Sequence, residues 1–175
     1  MEPTTLYDTA FWITGAAIHV LLMFSGFFSG SETALTAASR GKLRTLADQK
    51  SRGAEVALRL KEDNERLIGG ILLGNNLANI LATSLATALL TRVFGDSGVA
   101  LATLVMTALV LIFAEVLPKT YAIVHPEKSA SRAAPLIQVV IRVLSPLVAL
   151  VRFIVRAVLR LFGLKIEPGS AMLSV

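Results

Sequence analysis

Long apolar runs, interrupted at helical spacing by small and polar side chains, set the pattern of this chain. Three runs, at about residues 10–34, 67–91 and 98–124, are long enough to span a bilayer. Their apolar cores are about 18 to 26 residues, or roughly 27 to 39 Å as helix, against a hydrocarbon layer of about 30 Å. Between the first two, residues 37–63 mix charge with Leu43, Leu46, Val56, Leu58 and Leu60. This predicts one or two cytosolic juxtamembrane helices, broken near Gly53. A second juxtamembrane region covers about 128–162. There Gln138, Arg142, Ser145, Ala149, Arg152, Arg156 and Arg160 recur at spacings of three and four. They form one stripe of a helix whose other faces are apolar, and Pro146 is expected to kink it. Four arginines on one stripe suit a helix at the cytosolic interface with its basic edge toward anionic lipid headgroups; the alternative is a fourth span. The predicted architecture is an all-α integral membrane protein with three transmembrane helices per protomer plus cytosolic amphipathic belt helices. It forms one domain, residues 1–165, with 166–175 as a linker.

Composition agrees with a multi-pass protein: 54% of the 175 residues are hydrophobic, and mean hydropathy is +0.69. The first run does not read as a secretory signal, since no basic segment precedes it and no cleavage site follows Phe28. The net charge of +5 is informative by position. Arg40, Lys42, Arg44, Lys50, Arg52, Arg59, Lys61 and Arg66 lie between the first two spans, and Lys128 and Arg132 follow the third, whereas "RVFGDSG" at 92–98 is nearly neutral. The positive-inside rule then places the amino terminus outside and the carboxyl terminus in the cytosol. Basic residues that flank spans do not point to nucleic acid. Cysteine is absent, which excludes disulfides and thiolate metal sites.

The polar residues within the spans carry the candidate chemistry. In "ILLGNNLANILATSLAT", Asn75, Asn79, Thr83 and Thr87 form one stripe, and Gly70, Gly74, Ala78, Ala82 and Ala86 form a small-residue stripe one position back. Small residues allow close helix approach, so the amides either bond across that contact or hold something within it. Because Asn75 and Asn79 adjoin the small stripe, it is expected to press on the first span of the same chain. On the third span, Glu115 lies three residues before Pro118, which disturbs the bond to the Ala114 carbonyl. A carboxylate at membrane depth costs roughly 3 kcal/mol and normally faces an interior site; a Glu115–Lys119 pair is the alternative. The first span ends in "MFSGFFSGSETAL", with Ser25, Ser29, Glu32 and Thr36 on one face and Gly26 and Gly30 positioned to loosen the helix. Every donor is oxygen, which suits a hard cation such as Mg²⁺ or Ca²⁺. His19 and His125 read as structural. No nucleophile–base pair or phosphate loop is present, so the expectation is a protein that is not an enzyme.

The segments "FFSGSETAL", "LLGNNLANILAT" and "AEVLPKTYA", in this order, resemble the membrane domain of the CorC/cyclin-M (CNNM) family of Mg²⁺ transporters. The resemblance covers about residues 10–165. It implies a homodimer in the cell inner membrane and export of Mg²⁺ from the cytosol in exchange for Na⁺ as coupling ion. It also implies a Mg²⁺ site drawn from Ser29, the loosened Gly30 turn, Asn75, Asn79 and Glu115. Ser25, Ser31, Glu32 and Pro118 are secondary candidates; animal relatives lack an acid at the position of Glu32. Relatives of this type continue into cytosolic CBS domains. A rival with the same oxygen site is a membrane Mg²⁺ sensor that regulates a partner channel without transporting.

Overall fold

The computed structural model describes residues 8–161, which are helical almost throughout, with no strand among them. Helix α1 covers Thr9–Ala37, α2 Arg40–Asp48, α3 Arg52–Leu60 and α4 Asn64–Phe94. Helix α5, Ser97–Leu109, passes through a π-helical segment, Val110–Val116, into α6, Leu117–Val124, and α7 covers Pro126–Leu161. The three predicted spans correspond to α1, α4 and the continuous α5–π–α6 rod. The proposed linker at 166–175 lies outside the described residues.

Polar caps set the helix starts. The carboxylates of Asp8 and Asp63 accept from the amides of Phe11 and Arg66, and the Ser51 hydroxyl accepts from Ala54. At the other end of α4, Gly95 takes a positive φ of 63°, which lets the chain turn directly into α5. Asp8 also pairs with Arg92 at 3.0 Å, joining the start of α1 to the end of α4 and fixing the two as antiparallel neighbours. The Arg92 hydrogen bond is the largest influence holding the Asp8 carboxyl below its ordinary pKa.

The small-residue stripe of α4 is buried in full: Gly70, Gly74, Ala78, Ala82 and Ala86. It presses mainly on α1, as expected. A Cβ on Gly74 would come within 3.0 Å of the Phe28 ring, and Ala82 and Ala86 pack with Ile18 of α1 and Met106 of α5. Gly70 is the exception: a Cβ there would lie 2.9 Å from Ile141 of α7. A second cluster joins Leu35 and Ala38 of α1 to Leu43 of α2, Ala54 and Ala57 of α3, and Ala134 and Ile137 of α7.

Of the one or two helices expected between the first spans, two are present, α2 and α3, but the break is not at Gly53. The chain turns at Gln49–Ser51, where Lys50 adopts a φ of 65°. Gly53 lies in the first turn of α3 because α7 passes against it, and a Cβ there would collide with the Ser131 carbonyl.

Four helices, rather than three, are long and apolar enough to cross a membrane, the fourth being α7 over Pro126–Val158. Its neighbours are informative. Ile141 meets Gly70, Ser145 accepts from Arg66, and Phe153 and Arg156 share a cavity wall with Asp63 and Arg66. From Ser145 to Ala157, α7 therefore stays beside the beginning of α4. Helical assignment continues through Pro135 and Pro146. Of the arginine stripe, Arg142 and Arg156 are exposed, and the side chains of Arg152 and Arg160 lie outside the described residues.

The α3–α7 contact yields a paired prediction. Gly53→Ala is expected to lower unfolding stability by about 1 to 3 kcal/mol, the usual cost of overpacking a close contact. Gly15→Ala, where nothing lies within 4 Å of the added carbon, is expected to be neutral or stabilising. Thermal unfolding of the purified protein in detergent compares them.

Candidate cation site on the α1–α4 seam

Close approach of α1 and α4 buries polar groups from both. Ser25 and Ser29, one turn apart on α1, have no solvent exposure, and Asn75 opposite them is 7% exposed. The Ser25 hydroxyl donates to Asn75 Oδ1 at 2.7 Å. One turn on from each partner stands an oxygen that is buried and has no hydrogen-bond partner, Ser29 Oγ on α1 and Asn79 Oδ1 on α4. The third orphan among the described residues, Thr91 Oγ1, lies about 18 Å further along α4. An unpaired buried oxygen costs about 1 to 3 kcal/mol. Because the helices run antiparallel, Ser29 Oγ and Asn79 Oδ1 lie on opposite sides of the Ser25–Asn75 bond, roughly 12 Å apart along the seam, and each can accept a donor or contact a cation.

The neighbouring face of α1 carries Gly26 and Gly30, and here the structure corrects an expectation. Helix α1 runs unbroken from Thr9 to Ala37, so the glycines do not loosen it and the Gly30 carbonyl is not freed. They are contact points. A Cβ on Gly26 would lie 3.1 Å from the Phe113 carbonyl and 3.6 Å from Ala114 Cα, and one on Gly30 would lie 3.2 Å from Pro118. The distorted backbone is on the third span instead. Pro118 has no amide to donate, and its ring would collide with the Ala114 carbonyl in a regular α-helix. Widening to a π-helix over Val110–Val116 relieves that conflict, and the Leu117 amide bonds to the Ile112 carbonyl five residues back.

Glu115 projects from this π segment, next to the Ala114 backbone that touches Gly26. Its carboxylate pairs with Lys119 at 3.2 Å, the alternative weighed from sequence, and about a third of its side chain is exposed. The structure thus brings Ser25, Ser29, Asn75 and Asn79 to one seam, with Glu115 on the adjoining rod and held by Lys119. Ser31 is not part of that seam, because its hydroxyl is engaged by the Phe27 carbonyl at 2.6 Å. With Gly30 and Pro118, Ser31 instead lines a separate cavity beside Tyr121 and Arg132. Glu32 is half-buried on α1. Thr87 and Thr103 bond back to carbonyls of their own helices. No cluster of three His, Asp or Glu side chains occurs among the described residues, so any cation here meets mainly neutral oxygens.

Residues 16–174 match the model of the cyclin M transmembrane N-terminal domain. The chain belongs to the cyclin M membrane-domain family. It is 43% identical over 143 residues to the UPF0053 inner membrane protein YfjD of Escherichia coli, covering 82% of this chain and 33% of that protein. It is 36% identical over 155 residues to a UPF0053 protein of Haemophilus influenzae, covering 89% of this chain and 37% of the relative. A chloroplastic DUF21 domain-containing protein of Arabidopsis thaliana, At1g55930, is 34% identical over 151 residues, or 86% of this chain and 23% of its own length. The chain therefore spans about a quarter to a third of the length of these relatives. Its apolar helices and its likeness to an inner membrane protein make this cyclin M domain a multi-pass membrane protein.

One residue important to this cyclin M domain was not singled out from sequence. Lys61 is 9% exposed, and its ammonium donates to the carbonyls of Leu35, Thr36 and Ala38 at the end of α1. Desolvation lowers its pKa, with a further contribution from Arg40, whose guanidinium donates to the Lys61 carbonyl at 2.6 Å. Sequence counted Lys61 only as one of the positive charges. The available signal was that α1 ends in "ALTAAS", with no basic residue or glycine to satisfy its last carbonyls.

The seam makes an asymmetric prediction in Mg²⁺-free buffer. Ser25→Ala leaves Asn75 Oδ1 without its donor and is expected to cost about 1 to 3 kcal/mol of stability. Ser29→Ala removes a hydroxyl that is already unpartnered, and the melting temperature is expected to hold or rise. Equal losses in the two variants would show that the seam is a uniform hydrogen-bonded contact.

Proposed function

We propose that this domain is the Mg²⁺-handling core of an exporter that moves Mg²⁺ out of the cytosol in exchange for Na⁺. The observation that carries the reading is the pair of unpartnered buried oxygens, Ser29 Oγ and Asn79 Oδ1, flanking the Ser25–Asn75 hydrogen bond. In this proposal Ser29, Asn75 and Asn79 supply shape and neutral dipoles, and Glu115 supplies charge. The carboxylate exchanges Lys119 for the incoming cation, so one negative charge faces the bound Mg²⁺ and the displaced Lys119 ammonium turns away from it. Mg²⁺ binds oxygen at about 2.0 to 2.1 Å and gives up water reluctantly, so a compact set of oxygens must replace part of its hydration shell. Gly26 and Gly30 contribute by letting the π segment and Pro118 approach α1. The π segment supplies adjustable backbone beside Glu115. Coupling to Na⁺ rests on the family resemblance.

The domain is placed in the inner membrane as a homodimer, with the amino terminus outside, the carboxyl terminus cytosolic, and CBS domains following in a longer chain. Helices α2 and α3 form the cytosolic belt, and α7 lies along the same interface rather than crossing. Supporting this is the return of Phe153 and Arg156 to the beginning of α4. A helix crossing alongside α4 would meet residues progressively further from Asp63.

Two experiments test these proposals. Asn75→Ala, Asn79→Ala and Glu115→Gln are each expected to weaken Mg²⁺ binding by about tenfold or more, as befits loss of a charge-assisted contact. In proteoliposomes the wild type is expected to release Mg²⁺ when Na⁺ is supplied on the opposite side. Near-wild-type affinity in all three variants would refute the site, whereas binding without flux would assign the domain as a sensor. For topology, the cysteine-free chain allows Arg156→Cys or Leu161→Cys to be probed with an impermeant thiol reagent. Labelling from the cytosolic side alone is expected; labelling from outside would make α7 a fourth span.

A further inference from the structure

The side of the belt away from the seam carries a second constellation. The beginning of α4 and the second half of α7 enclose a cavity of about 690 Å³, lined by Arg66, Ser145, Val148, Phe153 and Arg156 and by Asp63. A smaller cavity of about 210 Å³ shares Asp63 and Arg66 as a common wall and adds Arg59 and Arg142 over Leu67 and Ile141. Four arginines, from α3, α4 and α7, therefore line this groove of two adjoining cavities. Its lining includes a single carboxylate among the described residues, and that group, Asp63, accepts the Arg66 amide as the cap of α4. Arg66 is oriented by donating through Nη2 to Ser145 at 2.9 Å. Arg59 is paired with Glu55 at 3.6 Å. Arg142 and Arg156 form no ion pair among the described residues.

Resting on the interfacial placement of α7, we propose that this groove binds an anionic phospholipid. The headgroup phosphate sits between Arg66 and Arg156, and the acyl chains run along the apolar face of α7. Arginine suits the role because its planar fork donates two parallel hydrogen bonds to phosphate oxygens. Lipid fits better than a soluble phosphate because the walls are half apolar, through Val148, Ala149 and Phe153. Phe153 is itself 71% exposed, so this apolar wall opens to the surroundings; Leu147, Leu150 and Val151 are exposed on the opposite face of α7. The arginine stripe alone suggested a loose attraction between α7 and the membrane surface; Arg66 from α4 turns it into a defined site with a back wall. A lipid held there would bridge α4, which carries Asn75 and Asn79, to the belt.

Native mass spectrometry of the purified protein, loaded from mixed micelles with phosphatidylglycerol and phosphatidylcholine, tests the proposal. The wild type is expected to retain phosphatidylglycerol preferentially. Arg66→Gln/Arg156→Gln is expected to lower that retention about thirtyfold, about fivefold for each guanidinium removed. Arg132→Gln, which lines a different cavity, is expected to retain lipid as the wild type does. If the double variant fails to fold, the exposed Arg156→Gln alone must still show its fivefold loss. Equal retention of the two lipids, or full retention in the variants, would overturn the proposal. So would displacement by soluble glycerophosphate at concentrations comparable to the lipid, since it would assign the groove to a free phosphate. Cytosolic-only labelling of α7 without lipid retention would sink this inference while leaving the topology standing.

Discussion

The close approach of α1 to α4 is the constraint on which the rest of the structure depends. Gly74 against the Phe28 ring sets the separation of the two helices, and Ala78, Ala82 and Ala86 extend that contact along the span. Within lipid there is little hydrophobic drive between helices, so packing of small residues and buried hydrogen bonds must supply the association. The same closeness excludes solvent from Ser25, Ser29 and Asn75. It converts ordinary polar side chains into costly ones. Only one pair, Ser25 with Asn75, is satisfied, and the oxygens a turn away are held without partners by the packing around them.

The other side of α1 is shaped by the same logic with different residues. Ser25 and Ser29 face α4, whereas Gly26 and Gly30 face Phe113, Ala114 and Pro118. Alternating hydroxyl and glycine in "SGFFSG" thus gives one helix two close contacts on adjacent faces. Lys61, at the end of α3, ties that helix to α1 by occupying the terminal carbonyls of α1. Glu127 adds a tie from α7 to α2, reaching Lys42 at 3.5 Å and the Ser39 amide. Its carboxyl pKa is held down mainly by its own backbone amide, with Ser39 and Lys42 adding to the effect. The end of α1, about two turns from Ser29, is therefore tied to α3 and, through Ser39, to α7.

The three spans were legible because long apolar runs and the positive charges between them are one-dimensional signals. The seam was legible for a related reason: a small stripe beside an amide stripe on one helix face specifies what that face must do. What sequence misplaced was the location of backbone distortion. Gly26 and Gly30 looked like points of weakness, since glycine lowers helix propensity, but packing against Pro118 holds them in regular helix. The distortion lies instead on the third span, where the Pro118 ring forces the turn before it to widen. Lys61 was hidden because its partners are main-chain carbonyls some 25 residues earlier, and no side-chain pattern records them. The turn at Lys50 was hidden behind Gly53, whose small size serves a contact with α7 instead.

Electrostatics connects the neutral seam to the charged rod beside it. A carboxylate brought to membrane depth without compensation is expensive, and Lys119 one turn on from Glu115 provides that compensation. A pair of this kind is neutral overall yet able to separate, since its members belong to different turns joined through Pro118 and a π-helical segment with looser hydrogen bonding. The amide and hydroxyl oxygens of the seam cannot balance a divalent charge alone, and the carboxylate cannot replace a hydration shell alone. Each supplies what the other lacks. In the proposed function the unpartnered oxygens and the Glu115–Lys119 pair act together, the oxygens receiving the cation and the carboxylate supplying charge.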